Sequence, residues 1–172
     1  MPQASDVLAA VLRSPSVERV RSALARAGLR AEIIELPGAA RTAQAAAQFL
    51  GCDVGQIANS LVFRAQSSDA ALLVMSSGAR RVDTSRLSAL LGEPVGKADA
   101  DFVRGRTGFA IGGVPPVGHS DVARVFVEQS LAAWPRLWAA AGHPHTVFPL
   151  TYDELLRITG GAAAELAVEV AK

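Results

Sequence analysis

The chain has 172 residues, of which 50% are hydrophobic and 19% are charged, and its formal net charge at pH 7 is +1. This length and apolar content favour a globular fold over disorder, and the near-neutral charge argues against a general nucleic-acid coat. The sequence contains no apolar stretch of the roughly 20 residues that a membrane span needs, no basic segment of a secretory signal, and a lone cysteine, Cys52, which excludes an internal disulfide. We therefore expect a cytoplasmic protein that does not enter a membrane and forms one domain over residues 1–172.

The first part of the chain carries both helix and strand signals. Residues 1–30 form an N-terminal helical part, in which Ser16 caps a helix over 17–27. A β-branched pair favours a strand over 29–36, which ends at a Pro-Gly turn. Thr42 is then a suitable cap for an alanine-rich helix that ends at Leu50.

The middle of the chain is rich in strands. Residues 57–65 and 70–76 predict a hairpin because a short polar loop separates two apolar runs. A helix over 85–91 that starts at Asp83 or Thr84, a strand over 95–98 and one or two helical turns over 101–106 follow. A loop dense in glycine and proline then extends from 108 to 118.

The C-terminal part returns to strands and ends with a helix. Buried strands are predicted over 122–127, 137–141 and 146–149, and Thr151 with Glu154 forms a capping box for a helix over 152–159. Residues 164–170 are expected to close the sheet. The strands do not alternate strictly with helices, so we predict an α/β (α+β) fold in which helices surround a curved, mixed central sheet.

The glycine-proline loop is the most informative candidate site. Its centre consists of Gly112, Gly113, Val114, Pro115 and Pro116. Consecutive glycines allow the backbone to approach a ligand, and the prolines stiffen the segment, so its N–H groups could face a carbonyl, carboxylate or phosphate. A tight connection between two strands without any ligand explains the same composition.

Polar residues also occur at the start of the strand over 57–65. Asn59 and Ser60 stand where a buried apolar strand would not need them, and alternation places them on opposite faces of the sheet. Asn59 is either a ligand-binding residue or the partner of a backbone group at the strand end.

Two further turns contain residues able to bind ligands. His143 and His145 are two residues apart, but without a nearby acidic or sulfur ligand they indicate no metal site, and nothing in the sequence indicates a cofactor. The turn from Ser77 to Arg80 could bind an anion or could be a solvated turn. Cys52 has no activating partner in the sequence, so we expect a structural thiol.

The order of several motifs resembles the YbaK/EbsC family of aminoacyl-tRNA editing domains, which occur within bacterial prolyl-tRNA synthetases and as free-standing proteins. The resemblance covers the chain from about Ala31 onward. It rests on the segments 42–46, 56–63, 77–83, 112–118 and 152–161.

The resemblance implies an α/β fold with a mixed, partly barrel-like sheet, and a function in hydrolysing the ester of a mischarged aminoacyl-tRNA. The expected substrate is a proline tRNA that carries alanine, cysteine or another small amino acid. Residues 112–116 would hold the aminoacyl carbonyl and the terminal adenosine, while a ribose hydroxyl of the tRNA assists the attacking water, so no protein nucleophile is required. The expected substrate-binding residues are Ser60, Phe63, Ser77, Gly78, Arg80, Gly118, His119, Gly142 and His145.

Asn59 departs from the family pattern, because most members carry a lysine at this position. Asparagine keeps the hydrogen bonding but loses the charge. The chain could have altered substrate contacts, an arginine such as Arg80 or Arg81 could replace the lysine, or the domain could bind without hydrolysing. The expected partner is the acceptor end of a mischarged tRNA, recognised directly or through an aminoacyl-tRNA synthetase. Specific DNA binding is not expected, since the sequence has no helix-turn-helix signal or basic tail.

Overall fold

The computed structural model describes residues 10–170 of the chain. The helices include α1 (Pro15–Arg26), α2 (Ala43–Leu50), α3 (Thr84–Leu91), α4 (Ala100–Thr107) and α5 (Tyr152–Thr159), with short 3-10 helices at Val54–Gln56 and Gln129–Ala133. The strands are β1 (Ile34–Glu35), β2 (Ile57–Ala65), β3 (Ala71–Ser77), β4 (Arg80–Val82), β5 (Val95–Lys97), β6 (Arg124–Glu128), β7 (Leu137–Ala140), β8 (Thr146–Leu150), β9 (Ala162–Ala164) and β10 (Ala167–Glu169).

Most strands join one eight-stranded sheet in the order β1-β8-β7-β2-β3-β6-β9, and β5 pairs with β2 beside this path. Antiparallel pairs such as β2–β3 occur together with parallel pairs such as β2–β7 and β3–β6. The predicted mixed α/β fold is therefore confirmed. Within residues 10–170, no helix is long and apolar enough to cross a membrane.

The N-terminal segment differs from its prediction in two places. The cap of α1 is Ser14 rather than Ser16, because Pro15 occupies the first helical turn, where its missing N–H costs nothing, and Ser14 accepts a hydrogen bond from the Val17 amide. The predicted strand over 29–36 is reduced to β1, because the Leu29 amide first closes the end of α1 on Leu24.

The hairpin of β2 and β3 forms the centre of the sheet, as predicted. Every residue of β3 is buried, and its neighbours on both sides are long strands. The side chains of β2 alternate between two cores. Val62 packs on one side with α1 and the glycine-proline loop, and Leu61 packs on the other side with α3.

Helix caps in the rest of the chain follow the sequence closely. Thr42 accepts a hydrogen bond from the Ala45 amide, and Asp83 does the same for the first turn of α3. Thr151 and Glu154 form the predicted capping box of α5. Caps are recognisable from sequence because their partners lie within three residues.

The C-terminal segment corrects the prediction that residues 164–170 form one strand that closes the sheet. β9 joins the main sheet through β6, whereas β10 pairs with β4 in a separate two-stranded sheet. The buried carboxylate of Glu128 accepts hydrogen bonds from the amides of Leu166, between the two strands, and of Ala167, the first residue of β10, at 2.5 and 2.8 Å. These bonds turn the chain and explain why one continuous strand does not form.

Candidate functional site

A cleft opens beside β2 and β7, and residues 57–61 of β2 all line it. Because β2 and β7 pair in parallel with Ile57 opposite Trp138, these two side chains lie on the same face of the sheet as Asn59. The cleft, called the main cleft below, has a volume of about 730 Å³ including its open mouth. Its walls include Arg41, Ala46, Ile57, Asn59, Gly112 and Trp138.

The beginning of α2 forms one wall of the main cleft. Arg41, Thr42 and Ala43 line it where the helix starts, so the partial positive charge of the helix N-terminus lies beside the cleft. This wall is held in place by the Ala40 amide, which donates to the Pro144 carbonyl at 2.8 Å. A carbonyl oxygen or a carboxylate in the cleft would be stabilised by this end of the helix.

The glycine-proline loop forms the part of the rim next to Arg41. Gly112 has a φ of 92°, a left-handed conformation that L side chains rarely adopt, and it lies against the backbone of Arg41. A Cβ atom on Gly113 would come within 3.0 Å of the His143 Cα atom. Both glycines are therefore required by geometry: the first by its backbone angle, the second by the close approach of another segment.

The remainder of the loop is anchored in the core. Val114 is 3% exposed, and His119 Nε2 lies 2.6 Å from the Pro115 carbonyl oxygen. Burial lowers the pKa of His119, so the ring is neutral at pH 7 and its Nε2–H donates to that carbonyl. Core packing and this hydrogen bond thus anchor the second half of the loop.

Three polar groups at the main cleft are available to a ligand. Within residues 10–170, neither the Gly112 amide nor the Val114 amide finds a hydrogen-bond acceptor, although the Gly113 amide between them donates to Ala110. The half-buried side-chain amide of Asn59 likewise makes no hydrogen bond in the described part of the chain. Two N–H donors and one carboxamide without protein partners therefore belong to residues that line the main cleft.

Ser60 and Phe63, the two other residues of β2 that we predicted to bind substrate, are placed differently from Asn59. Ser60 borders the main cleft, but its hydroxyl turns to the opposite face of β2 and donates to the Met75 sulfur at 3.3 Å. Phe63 packs into the core beside α3 and does not line the cleft.

The turn from Ser77 to Arg80 also lies outside the main cleft. The Ser77 hydroxyl donates to the Gly55 carbonyl at 2.9 Å, and a Cβ atom on Gly78 would approach Ala43 Cβ and the Val54 carbonyl to 2.6 Å. Arg80 pairs with Glu169 at 4.0 Å. The structure therefore places this turn against α2, where it supports the wall of the main cleft from behind.

The remaining predicted residues lie around the loop. Gly118 and His119 line a shallow depression on the far side of the loop, away from the main cleft. Gly142 and His145 belong to a second cleft, called the arginine cleft below, whose walls include Arg41, Arg104, Gly108, His143, Pro144 and His145. Arg41 and Pro144 line both clefts, which makes the two clefts direct neighbours.

Several residues of the main cleft were missed by the sequence reasoning. Arg41, Trp138 and Thr146 come from three separated segments, and no local pattern distinguishes them from ordinary helix-flanking or strand residues. Ile111 is 57% exposed at the rim of the cleft, but the loop around it is apolar, so the sequence does not distinguish it from its neighbours.

The chemistry of the main cleft is limited by its lining. None of the residues that line it is an aspartate, glutamate, histidine, cysteine or lysine. Cys52 is half-buried beside α2, where burial and the charge of Asp53 raise the pKa of its thiol. Within residues 10–170, no group of His, Cys, Asp and Glu side chains could hold a metal ion. The cleft can therefore act by positioning and by N–H donors rather than through a side-chain base.

Comparison with known proteins agrees with this geometry. A profile described as the aminoacyl-tRNA editing domain matches residues 38–158, a range that contains every residue lining the main cleft. The chain belongs to this family. The matched range contains Asn59, which stands where most family members carry a lysine. It also contains the glycine-proline loop and the turn at Gly142.

Solved structures of similar proteins share the fold. A crystal structure of a candidate trans-editing enzyme for prolyl tRNA synthetase is 43% identical, with a TM-score of 0.84 over 90% of this chain and 98% of that one. The crystal structure of hypothetical protein APE2540 is 25% identical, with a TM-score of 0.81 over 87% of this chain and 99% of the other. The uncharacterized protein YwhH of Bacillus subtilis (strain 168) is 26% identical over 81% of this chain and 88% of its own length.

Proposed function

We propose that the protein deacylates mischarged aminoacyl-tRNA, with proline tRNA that carries alanine, cysteine or another small amino acid as its substrate. The observation that carries this proposal is the pair of unpartnered amides, Gly112 and Val114, on residues that line the main cleft together with Asn59. An ester carbonyl between these groups would accept hydrogen bonds from preorganised donors. The similarity to a candidate trans-editing enzyme for prolyl tRNA synthetase supports the choice of tRNA.

The side chains that line the main cleft support a small amino acid as the acyl group of the substrate. Alanines contribute much of the lining, at positions 40, 43, 46, 58, 139 and 140. Trp138 and Ile57 limit the depth on the sheet side. A pocket of this kind discriminates by steric exclusion, which rejects a larger side chain more strongly than it separates alanine from cysteine.

The reaction follows from the donors in the cleft. Water adds to the ester carbonyl carbon, and the negative charge that develops on the carbonyl oxygen is stabilised by the N–H groups of Gly112 and Val114. The bond between that carbon and the ribose oxygen then breaks. The leaving ribose oxygen takes up the proton that the water loses, so the products are a free amino acid and a tRNA with its hydroxyl restored.

The proton transfer needs no protein base in this scheme. Because no ionisable carboxylate, imidazole, thiol or amine lines the main cleft, the neighbouring ribose hydroxyl is the group best placed to accept and pass on the proton. Asn59 orients the substrate through its carboxamide, which both donates and accepts hydrogen bonds.

The test is a deacylation assay over a panel of tRNAs charged with alanine, cysteine, serine or their cognate amino acid. We expect release of small amino acids from proline tRNA, and we expect Asn59→Ala to slow it about 10-fold through the loss of one oriented hydrogen bond. Gln48→Ala is the matched control, because Gln48 is an exposed amide on α2 that does not line the cleft. Intact esters across the whole panel would contradict the proposal.

Asn59 specifically favours a second candidate, a module that binds aminoacyl-tRNA without cleaving it. Lys97 does not replace the family lysine, since it is exposed and pairs opposite Phe63, four residues from Asn59 along β2. If the domain only binds, Asn59→Lys should create activity that the natural chain lacks. Equal turnover by the natural chain and the Asn59→Lys variant would eliminate this candidate.

A further inference from the structure

We infer that the arginine cleft binds a backbone phosphate of the tRNA acceptor strand while the aminoacylated terminal nucleotide occupies the main cleft. This inference rests on the proposed function, because it takes the nucleic-acid end of that substrate as the ligand. It adds a second contact site, on residues outside the main cleft, and identifies a phosphodiester as the group bound there.

The first observation is the uncompensated charge of the arginine cleft. Arg41 and Arg104 line it, and no aspartate or glutamate is among its lining residues. Within residues 10–170, neither guanidinium has a carboxylate within 4 Å, so no protein anion neutralises this pair. Two free guanidinium groups at one cleft favour an anion, and their planar donor geometry suits phosphate oxygens.

A third arginine adds positive charge beside the same cleft. Arg19 donates to the Gly108 carbonyl at 3.2 Å, and its guanidinium lies over the Phe109 ring at 5.1 Å. Gly108 and Phe109 both line the arginine cleft. Arg19 is therefore fixed in place and raises the local potential without being needed as a direct ligand.

The turn over residues 142–145, called the histidine turn below, lines the arginine cleft and supplies a further donor. His143 Nδ1 accepts a hydrogen bond from the His145 amide at 3.1 Å, so the proton of the neutral ring is on Nε2. Burial, together with the neighbouring His145, lowers the pKa of His143 and keeps the ring neutral at pH 7. A neutral Nε2–H can donate to a phosphate oxygen and adds no charge of its own.

The position of the arginine cleft identifies the source of the phosphate. Arg41 and Pro144 form a shared wall, so a chain that leaves the main cleft at this wall enters the arginine cleft directly. In an aminoacylated tRNA end, the group that follows the terminal nucleoside is its 5′ phosphate. The neighbouring clefts thus match the order of ester, nucleoside and phosphate along the substrate.

The test measures the salt dependence of binding to uncharged tRNA, with Arg104→Gln as the variant, because Arg104 lines only the arginine cleft. We expect the affinity to fall about 5-fold, and the slope of log K against log salt concentration to decrease by about 0.7, the value for one phosphate contact on a single strand. Arg104→Lys keeps the charge and should retain the slope. Arg30→Gln is the matched control, since Arg30 is an exposed arginine that lines neither cleft.

A second measurement separates phosphate binding from a structural role. Aminoacyl-adenosine carries the ester and the nucleoside but no phosphate, so Arg104→Gln should cleave it at the rate of the natural chain. An unchanged salt slope, or an equal loss of activity on aminoacyl-adenosine and on aminoacyl-tRNA, would overturn the inference. Binding of uncharged tRNA does not depend on ester cleavage. If Arg104→Gln changes the salt slope but the natural chain hydrolyses no ester, the phosphate site is supported and the deacylase proposal fails. If the natural chain hydrolyses the ester but Arg104→Gln leaves the slope unchanged, the deacylase proposal is supported and the phosphate site fails.

Discussion

The loop over residues 108–118 and the turn over residues 77–80 were both predicted to bind substrate, yet the structure uses them in opposite ways. Both follow an element of regular structure, both contain glycine, and both were predicted to face a ligand. The loop lines the main cleft with its backbone, whereas the turn is filled from behind by α2 and a 3-10 helix. A glycine in a turn therefore indicates a close approach, but not whether a ligand or another part of the chain makes it.

The difference lies in what the backbone groups bind. In the turn, the Ser77 hydroxyl donates to the Gly55 carbonyl and accepts from the Ala79 amide, so its polar groups are occupied. In the loop, the amides of Gly112 and Val114 have no acceptor within residues 10–170. Unoccupied donors beside a cleft are what distinguishes a binding loop from a packing turn.

The largest effect should come from the loop. Gly112→Ala puts a side chain on a residue with a φ of 92° and moves the two free amides, so we expect deacylation to fall about 100-fold, as when one oxyanion donor is lost. The matched control is Gly92→Ala, at a φ of 84° with open space around it, which should cost a similar stability of about 1–2 kcal/mol. Activity and melting temperature are measured for both variants. If Gly112→Ala and Gly92→Ala lose the same activity, backbone strain alone explains the loss.

The turn should respond in stability rather than in activity per folded molecule. Gly78→Ala forces a methyl group to within 2.6 Å of the Ala43 Cβ atom and the Val54 carbonyl, and we expect about 2–3 kcal/mol of destabilisation in a urea titration. Gly105→Ala, on an open face of α4, should instead stabilise the protein by up to about 1 kcal/mol. If Gly78→Ala is as stable as the natural chain, the turn is not tightly packed against α2.

The smallest effect concerns the anchor of the loop. Burial holds the pKa of folded His119 below its unfolded value of about 6.5, so the unfolded chain binds the proton first and stability falls as the pH drops through that value. His119→Gln should flatten the dependence of the unfolding free energy on pH between 7 and 5. His143, whose pKa is also lowered, leaves a residual slope. If the curves of unfolding free energy against pH are parallel for the natural chain and His119→Gln, His119 does not contribute to the pH dependence of stability.

The fold was predictable where the determining contacts are local. The caps at Thr42, Asp83 and Thr151 and the hairpin of β2 and β3 involve partners a few residues apart, and their bounds agree with the sequence to within a residue or two. The separation of residues 164–170 into β9 and β10 was not predictable. It depends on Glu128, whose carboxylate binds amides more than 35 residues away along the chain.

The site was predictable only in its glycines and its odd polar residue. Gly112 and Asn59 stood out because each breaks a local pattern, and both line the main cleft. Arg41 and Arg104 are ordinary in sequence, since nothing local distinguishes an arginine without an ion pair from one with a partner far along the chain. Their significance appears only when the fold brings α2, α4 and the histidine turn together.

Helix α1 lies outside the range matched by the family profile, yet it touches the segments that shape both clefts. A Cβ atom on Gly142 would meet the Ser16 carbonyl at 2.8 Å, and one on Gly118 would meet Ala23 at 3.5 Å. A graft of the editing unit into another protein, cut at the family boundary near residue 38, would remove the surface on which these turns rest. The transplantable unit therefore needs α1 from its cap at Ser14, because Val20 and Leu24 of this helix belong to the same core as Val114 of the loop.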